Sequence, residues 1–168
     1  MDGGQVDADE FDAFYMGVRP RVVRAVYAMT GDAQEAQDVA QEAFVRAWYH
    51  RRSLDRDGNP EAWVTTTATR LAISRWRRMR RGDELTARGA VVETERAPSA
   101  DHVDLVRSLR LLPDAQREAI VLFYICDMTV EQVALAQRVP IGTVKARLSR
   151  GRAALEPLLT ETQEAGDG

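Results

Sequence analysis

The sequence predicts an all-α protein of two small helical domains joined by a flexible acidic linker. Apolar residues recur at helical spacing over residues 11–79 and again over 103–155. Between these stretches the periodicity is lost, and residues 82–104 hold glycine, proline and small residues with six acids against two arginines. We therefore divide the chain into a first domain (1–82), a linker (83–104), a second domain (105–160) and a tail (161–168).

Two helices are expected at the start of the first domain. Apolar positions predict one over residues 11–31, bent or restarted at Pro20, after an acidic segment that either frays or screens a basic partner. The next begins at the N-cap Asp32, which Glu35 follows three residues later, and should run to about residue 50.

The outer face of this second helix mixes acids, an amide and apolar groups. Steps of three and four bring them together, and a purely solvated face would not favour Val45 and Tyr49 at those steps. A docking surface and a solvated face are both open interpretations. The face comprises Asp38, Gln41, Glu42, Val45 and Tyr49.

A third helix is predicted after turn-forming residues 53–59, with Asn59 as its N-cap and Pro60 at its first position. Its segment 70–81 holds six arginines and no acid in a chain whose net charge is -3. Packing should hold its threonine-rich first half helical against weak propensity. The residues assigned to its inner side are Val64, Ala68, Leu71, Ala72 and Met79.

The opposite side of this helix forms what we call the basic stripe. Indole rings beside guanidinium groups are suited to stack on single-stranded bases, which favours nucleic acid as the ligand. A solvated basic face is the alternative, and Trp76 could equally be a core residue, because it falls between the two helix faces. Six residues share this side, Trp63, Arg70, Ser74, Arg77, Arg78 and Arg81, and we count with them the neighbouring candidates for DNA contact Arg75, Trp76 and Arg80.

The second domain is expected to begin near Val103 and to contain a helix opened by Pro113. Its core residues should be Ile120, Val121, Phe123 and Tyr124.

A helix-turn-helix is predicted next in the second domain. Thr129 and Gln132 form a capping box for a short helix, residues 137–139 turn, and Pro140 starts a last helix that runs to about residue 158. Val144, Leu148 and Leu155 point inward, and the outward cations can read guanine edges or hold phosphates. An ordinary basic amphipathic helix is the alternative. The outward residues are Thr143, Lys145, Arg147, Arg150 and Arg152.

The residue inventory disfavours catalysis and metal binding. Cys126 is the only cysteine, and in its apolar surroundings it is expected to be a core residue. With His50 and His102 as the only histidines, a structural zinc site is not expected, and we assign no catalytic residue, metal or cofactor. No apolar stretch is long enough to span a bilayer and no signal-peptide pattern opens the chain, so the sequence predicts a cytoplasmic protein.

These segments resemble the two conserved regions of sigma-70-type RNA polymerase sigma factors. With only two regions and a short linker, the chain is similar to the extracytoplasmic-function subgroup, and the actinobacterial branch of that subgroup is the narrower expectation. The residues that resemble region two are 31–48, which include the run 38–44. The residues that resemble region four are 111–113, Arg117, 129–136 and 142–152.

The resemblance implies a region-two helical bundle, a region-four helix-turn-helix and no enzymatic activity. The face of Asp38, Gln41 and Glu42 would dock on the clamp helices of the largest subunit of core RNA polymerase. An anti-sigma factor would use the same core-binding surfaces. The acidic linker would thread the polymerase near its RNA exit path.

The resemblance also implies two DNA contacts. The helix of the basic stripe would engage the minus-ten promoter element, open the duplex and hold the non-template strand, and the segment 53–59 would help to select a flipped base. The last helix would read the minus-thirty-five element in the major groove. Arg70, Ser74 and Thr67 stand where the family usually has Asn, Asp and an apolar residue, so no minus-ten base preference is carried over. Ala146 replaces the commoner Ser.

A stand-alone helix-turn-helix regulator that binds operator DNA without polymerase is the alternative function. It accounts for residues 129–152 but gives no role to the Asp38 face or to the basic stripe.

Overall fold

The computed structural model describes residues 3–82 and 100–166, which form helices and short turns only. The predicted all-α class is confirmed. No helix within these residues is long and apolar enough to cross a membrane. The helices are α1 (Gly3–Thr30), α2 (Ala33–Asp57), α3 (Pro60–Gly82), α4 (Ala100–Arg110), α5 (Asp114–Ile120), which continues as a π-helical turn (Val121–Ile125), α6 (Val130–Gln137) and α7 (Ile141–Gly166). Most of the predicted linker lies outside the described residues.

The helix starts that local sequence predicts are confirmed. The Asp32 carboxylate accepts a hydrogen bond of 3.0 Å from the Glu35 amide at the start of α2. Asn59 caps α3 in the same way through the Ala62 amide, also at 3.0 Å. These side chains satisfy backbone donors that have no partner inside the helix. At α6, Thr129 and Gln132 cap each other's backbone amides, as a capping box requires.

Several predicted helix boundaries were wrong. The first helix begins at Gly3 and passes Pro20 without interruption, because Val18 and Val22 on either side are buried in the core. The segment 53–57 is helical rather than a turn, since Leu54 is buried and holds α2 in place until Gly58, in the left-handed region at φ +77°, ends it. The last helix passes residue 158 and ends at Gly166.

The first core lies between α1, α2 and α3. Thr65 and Thr69 are fully buried there, which agrees with packing holding the threonine-rich part of α3 helical. The assignment of Met79 to the inner side was wrong, since its side chain is 56% exposed and belongs to neither core. The buried members are Val18, Val22, Val26, Ala36, Val39, Ala40, Ala43, Phe44, Ala47, Leu54, Val64, Ala68 and Ala72.

The second core joins the two halves of the chain. Its buried residues come mainly from α4 to α7, but Ala25, Ala28 and Met29 of α1 are part of it, and Ile73 of α3 packs against it. The C-terminal half therefore rests on the N-terminal bundle and shares α1 with it.

Tyr124 was wrongly assigned to the core, since it is 49% exposed. The turn 121–125 is π-helical, with the Cys126 amide donating to the Val121 carbonyl, and this wider turn shifts the side chains away from a 3.6-residue period. Ile120 and Val121 are buried as expected, and Phe123 is partly buried.

Cys126 is a core residue, as the sequence predicts. Its side chain is buried, and burial raises the pKa of the thiol to about 12. A thiol held neutral in this way is a poor nucleophile.

Candidate polymerase and nucleic-acid interface

Four members of the mixed face on α2 are open to solvent. Asp38 and Gln41 are exposed, and Val45 and Tyr49 continue the surface towards the end of the helix, with Tyr49 79% exposed. The Asp38 carboxylate accepts a hydrogen bond of 3.0 Å from Gln34 one turn earlier. This arrangement offers a partner one carboxylate, one amide and two apolar side chains.

Glu42, the fifth member of this face, is held by intramolecular ion pairs. Its carboxylate accepts from Arg46 at 2.7 Å and also binds Arg75 of α3. Partial burial raises the pKa of this carboxyl, but the hydrogen bond from Arg46 and the charges of Arg75 and Arg46 outweigh that effect, so the net pKa is lowered. Glu42 therefore links α2 to Arg75 of α3 and is less available to a partner than the other four members of the face.

Arg75 connects α3 to α2. Its guanidinium binds Glu42 and lies 3.4 Å from Glu35, so it faces the helix pair. The sequence placed it among the DNA-binding residues, whereas in this arrangement Nη1 and Nη2 of Arg75 bind acids within the bundle.

A groove beside Trp63 lies at the N-terminal end of the basic stripe. The rings of His50 and Trp63 are 5.6 Å apart, and Arg70 and Ser74 line the same groove. Trp63 also packs against the first core, so its ring is fixed in position. An aromatic wall next to a guanidinium is suited to bind an unpaired base.

The end of α3 that carries Arg70 to Arg81 faces the C-terminal half of the chain. A cleft of about 400 Å³ lies between them. Arg70 donates to the Ala136 carbonyl at the end of α6, and Arg77 lies 3.3 Å from the Asp114 carboxylate. Arg78 and Arg81 line the cleft and are exposed. Part of the stripe is thus engaged by the second half of the same chain. The side chain of Arg80 lies outside the described residues.

Trp76 also contacts the C-terminal half and is partly buried. The guanidinium carbon of Arg117 is 5.2 Å from the centre of its ring, within the range of a cation–π interaction. Arg117 is only 2% exposed, and it donates to the Met29 carbonyl at 3.0 Å and to Asp114 at 2.7 Å. The sequence marked Arg117 only through the family resemblance, and no local pattern indicates a buried cation.

Glu118, next to Arg117, is a buried carboxyl at the edge of the cleft. Burial raises its pKa, although a hydrogen bond from Gln137 and the charges of Arg70, Arg147 and Arg77 act in the opposite direction. Sequence reasoning did not single out Glu118 or Gln137.

The outward side of α7 presents the expected cations. Lys145, Arg150 and Arg152 are exposed, whereas Thr143 and Arg147 are partly buried. Arg147 donates to the Gln137 side chain at 3.0 Å, and Arg152 donates to the Tyr124 hydroxyl at 2.9 Å. The predicted inner residues Val144, Leu148 and Leu155 are all buried.

No group of three or more histidine, cysteine or acidic side chains positioned to hold a metal ion occurs in the part of the chain that the structure describes.

Comparison with known proteins defines the class. Residues 14–82 match the family Sigma-70 region 2, and residues 102–155 match Sigma-70, region 4. The chain is 34% identical to the ECF RNA polymerase sigma factor SigW of Bacillus subtilis, over 92% of this chain and 91% of that protein. It is 30% identical to the RNA polymerase sigma-H factor of Pseudomonas aeruginosa, with the same two coverages of 92% and 91%.

Solved structures share the fold. The sigma factor RpoE of Bartonella quintana, determined in complex with the anti-sigma factor NepR, matches with a TM-score of 0.77 and 27% identity, over 90% of this chain and 97% of that one. CnrH, in complex with the cytosolic domain of CnrY, matches with a TM-score of 0.72 over 95% of this chain and 92% of that one; at 23% identity it supports the fold alone.

The two regions in this order define a sigma-70-type initiation factor. The chain belongs to the extracytoplasmic-function (ECF) family of RNA polymerase sigma factors. It directs core RNA polymerase to promoter DNA in transcription initiation.

Proposed function

We propose that this sigma factor divides its work among three helices: α2 binds core polymerase, α3 holds the opened minus-ten element, and α7 reads the minus-thirty-five element. The observation that carries the proposal is the exposed arginine surface of α3 beside the groove of Trp63. Such a surface favours a splayed single strand over an intact duplex, because it pairs phosphate-binding cations with a flat aromatic ring.

The polymerase contact is assigned to Asp38, Gln41 and Val45, with Glu42 supporting them. A flat patch of mixed charge and apolar area on a rigid helix suits docking against another helix pair, in keeping with the clamp helices of the largest subunit. Tyr49, strongly exposed one turn beyond Val45, extends the patch.

The minus-ten contact is assigned to the basic stripe. Arg78 and Arg81, both exposed, would neutralise phosphates, while Trp63 would stack on or wedge against a base. Melting a base step costs a few kcal/mol, which the stacking and phosphate contacts together with the polymerase would offset.

The minus-thirty-five contact is assigned to Thr143, Lys145, Arg147, Arg150 and Arg152 on α7. A helix that follows a tight turn and carries cations on its outer side fits the major groove. Bidentate contacts from arginine to guanine would supply base specificity, and the remaining cations would hold phosphates.

The packing of the two halves sets a condition on these roles. Arg70, Trp76 and Arg77 contact the C-terminal half in the described arrangement, so their engagement with promoter DNA requires that contact to open. An anti-sigma factor that favours the packed arrangement would keep the stripe covered, and we propose such a partner by analogy with the RpoE–NepR complex.

We further propose that the protein acts in the cytoplasm, where core polymerase is found, and that it contributes binding surfaces rather than a catalytic group. The buried, neutral thiol of Cys126 supports the second point.

Multi-round transcription with purified core polymerase tests the proposal. The holoenzyme should give a promoter-dependent transcript, whereas core alone should not, and Arg78→Gln with Arg81→Gln should reduce open-complex formation. Replacing exposed Glu131 of α6 by Gln serves as a control, because it lies outside all three assigned surfaces. Tight binding to duplex operator without core, together with no promoter-dependent transcript, would contradict the proposal and favour the stand-alone regulator.

A further inference from the structure

Gln137, the last residue of α6, lines the cleft between the two halves of the chain and also contacts α7. Its side-chain amide makes three hydrogen bonds. The nitrogen Nε2 donates to the Ala115 carbonyl at 3.0 Å and to Glu118 Oε2 at 3.3 Å, and the oxygen Oε1 accepts from Arg147 Nη1 at 3.0 Å. The amide thus links α5 to α7.

The orientation of this amide is fixed by its partners. A backbone carbonyl such as that of Ala115 can only accept, so the nitrogen must face it. Turning the amide over would place its oxygen against that carbonyl and its nitrogen against the donors of Arg147. The oxygen of Gln137 is therefore held towards Arg147.

Arg147 gains a defined position from this contact. A free arginine on a helix surface samples many rotamers, and ordering it upon binding costs conformational entropy. One hydrogen bond at Nη1 restricts the guanidinium yet leaves most of its five N–H donors for another partner. That partner can be the N7 and O6 edge of a guanine, which needs two parallel donors.

We infer that Gln137 is a positioning residue that orients Arg147 for base recognition in the minus-thirty-five element. This inference rests on the proposed role of α7, and it adds a residue from the preceding helix that itself need not touch DNA. Gln137 is itself held by Ala115 and Glu118 of α5. The position of the Arg147 guanidinium is therefore set by α5 and α6 as well as by α7.

Base discrimination by the reconstituted holoenzyme tests the inference. The probe is a promoter selected from a random library by the wild-type holoenzyme, together with every single-base change in its upstream element. Arg147→Met should lose discrimination at one or two positions. Gln137→Met keeps the side-chain length but removes all three hydrogen bonds. It should lower the preference for the selected base at those same positions by about three- to tenfold.

Two further variants separate positioning from packing. Gln137→Met should add nothing in an Arg147→Met background, because both changes remove one interaction. Gln137→Glu keeps an acceptor for Arg147 but loses both hydrogen bonds to α5 and places a carboxylate beside Glu118, so it should lose discrimination at the same positions as Gln137→Met. Should Gln137→Met fail to fold, as judged by circular dichroism, Gln137→Ala takes its place with the same expectation.

The outcomes distinguish the inference from the proposed function. Arg147→Met with unchanged or uniformly weakened binding would remove Arg147 from base reading, and the inference would fall with that assignment. Altered discrimination in Arg147→Met, with wild-type discrimination in Gln137→Met, would overturn the inference alone. A further loss of discrimination when Gln137→Met is added to Arg147→Met would also overturn it, since that loss would indicate packing rather than orientation of Arg147.

Discussion

The guanidinium of Arg117 lies over the indole ring of Trp76, although the two residues belong to different halves of the chain. The same guanidinium donates to the Met29 carbonyl of α1. A buried cation whose partners come from the other half makes the packing of the halves specific, because separating them would leave the charge without these contacts.

Replacing Arg117 by methionine should weaken this packing. The change removes two charge-assisted hydrogen bonds and one cation–π contact, which methionine burial offsets only in part, so the free energy of unfolding should fall by about 2–4 kcal/mol. Urea unfolding followed by circular dichroism measures this change. Arg107→Met is the control, since Arg107 is exposed on α4 and should matter by less than about 0.5 kcal/mol. Equal effects of the two substitutions would contradict a special role for Arg117.

Glu118 should make stability depend on pH. Its pKa is raised by burial, so the folded state binds a proton more readily than the unfolded state, and the stability present below the unfolded pKa is lost as the pH rises through the folded pKa. Glu118→Gln, which can still accept from Gln137, should therefore raise the melting temperature at pH 7 and have much less effect near pH 4. Glu131→Gln on the exposed side of α6 should show no such trend. A gain from Glu118→Gln that is constant with pH would exclude this explanation.

Arg75 and Arg78 should behave differently although both lie in the basic stripe. Arg78→Gln should lower the slope of log affinity against log salt by about 1 when holoenzyme binds a promoter with a preformed bubble. Arg75→Gln should leave the slope near the wild-type value and reduce stability by about 1–2 kcal/mol, because Glu35 and Glu42 lose their partner. Interchanged results would show that Arg75, not Arg78, reaches the phosphates.

Asp38 should contribute to polymerase binding without contributing to the fold. Asp38→Lys is expected to weaken binding to core by about tenfold with unchanged unfolding, because it reverses the charge of an exposed contact. Glu42→Lys should weaken binding and also destabilise the bundle, since it places like charges beside Arg46 and Arg75. Asp55→Lys, exposed further along α2, serves as the control. Core affinity that Asp38→Lys leaves intact would remove this face from the interface.

Local signals in the sequence predicted much of the fold. Asp32, Asn59 and Thr129 each accept from an amide three residues away, so their capping roles could be predicted directly. Predictions from local sequence were wrong where a wider helical turn or a buried side chain changed the structure. The π-helical turn exposed Tyr124, and the burial of Leu54 extended α2 through residues expected to form a turn.

The site was predicted in part for the same reason. The exposed face of α2 and the cations of α7 follow from helical periodicity, whereas the contacts of Arg117, Arg70 and Gln137 depend on partners 88, 66 and 22 residues away in the chain. No periodic pattern encodes such contacts. The exposure of Arg78 and Arg81 agrees with the periodic pattern, but the partial cover of the stripe by the C-terminal half was not predicted.

Photo-cross-linking from α3 tests the central claim most directly. A benzophenone amino acid in place of Arg78, in holoenzyme bound to a promoter, should cross-link to the non-template strand within the minus-ten element, and the same group in place of Arg107, exposed on α4, should not. Cross-links from position 78 that reach only duplex DNA upstream, or no DNA at all, would contradict the assignment of the basic stripe to promoter opening.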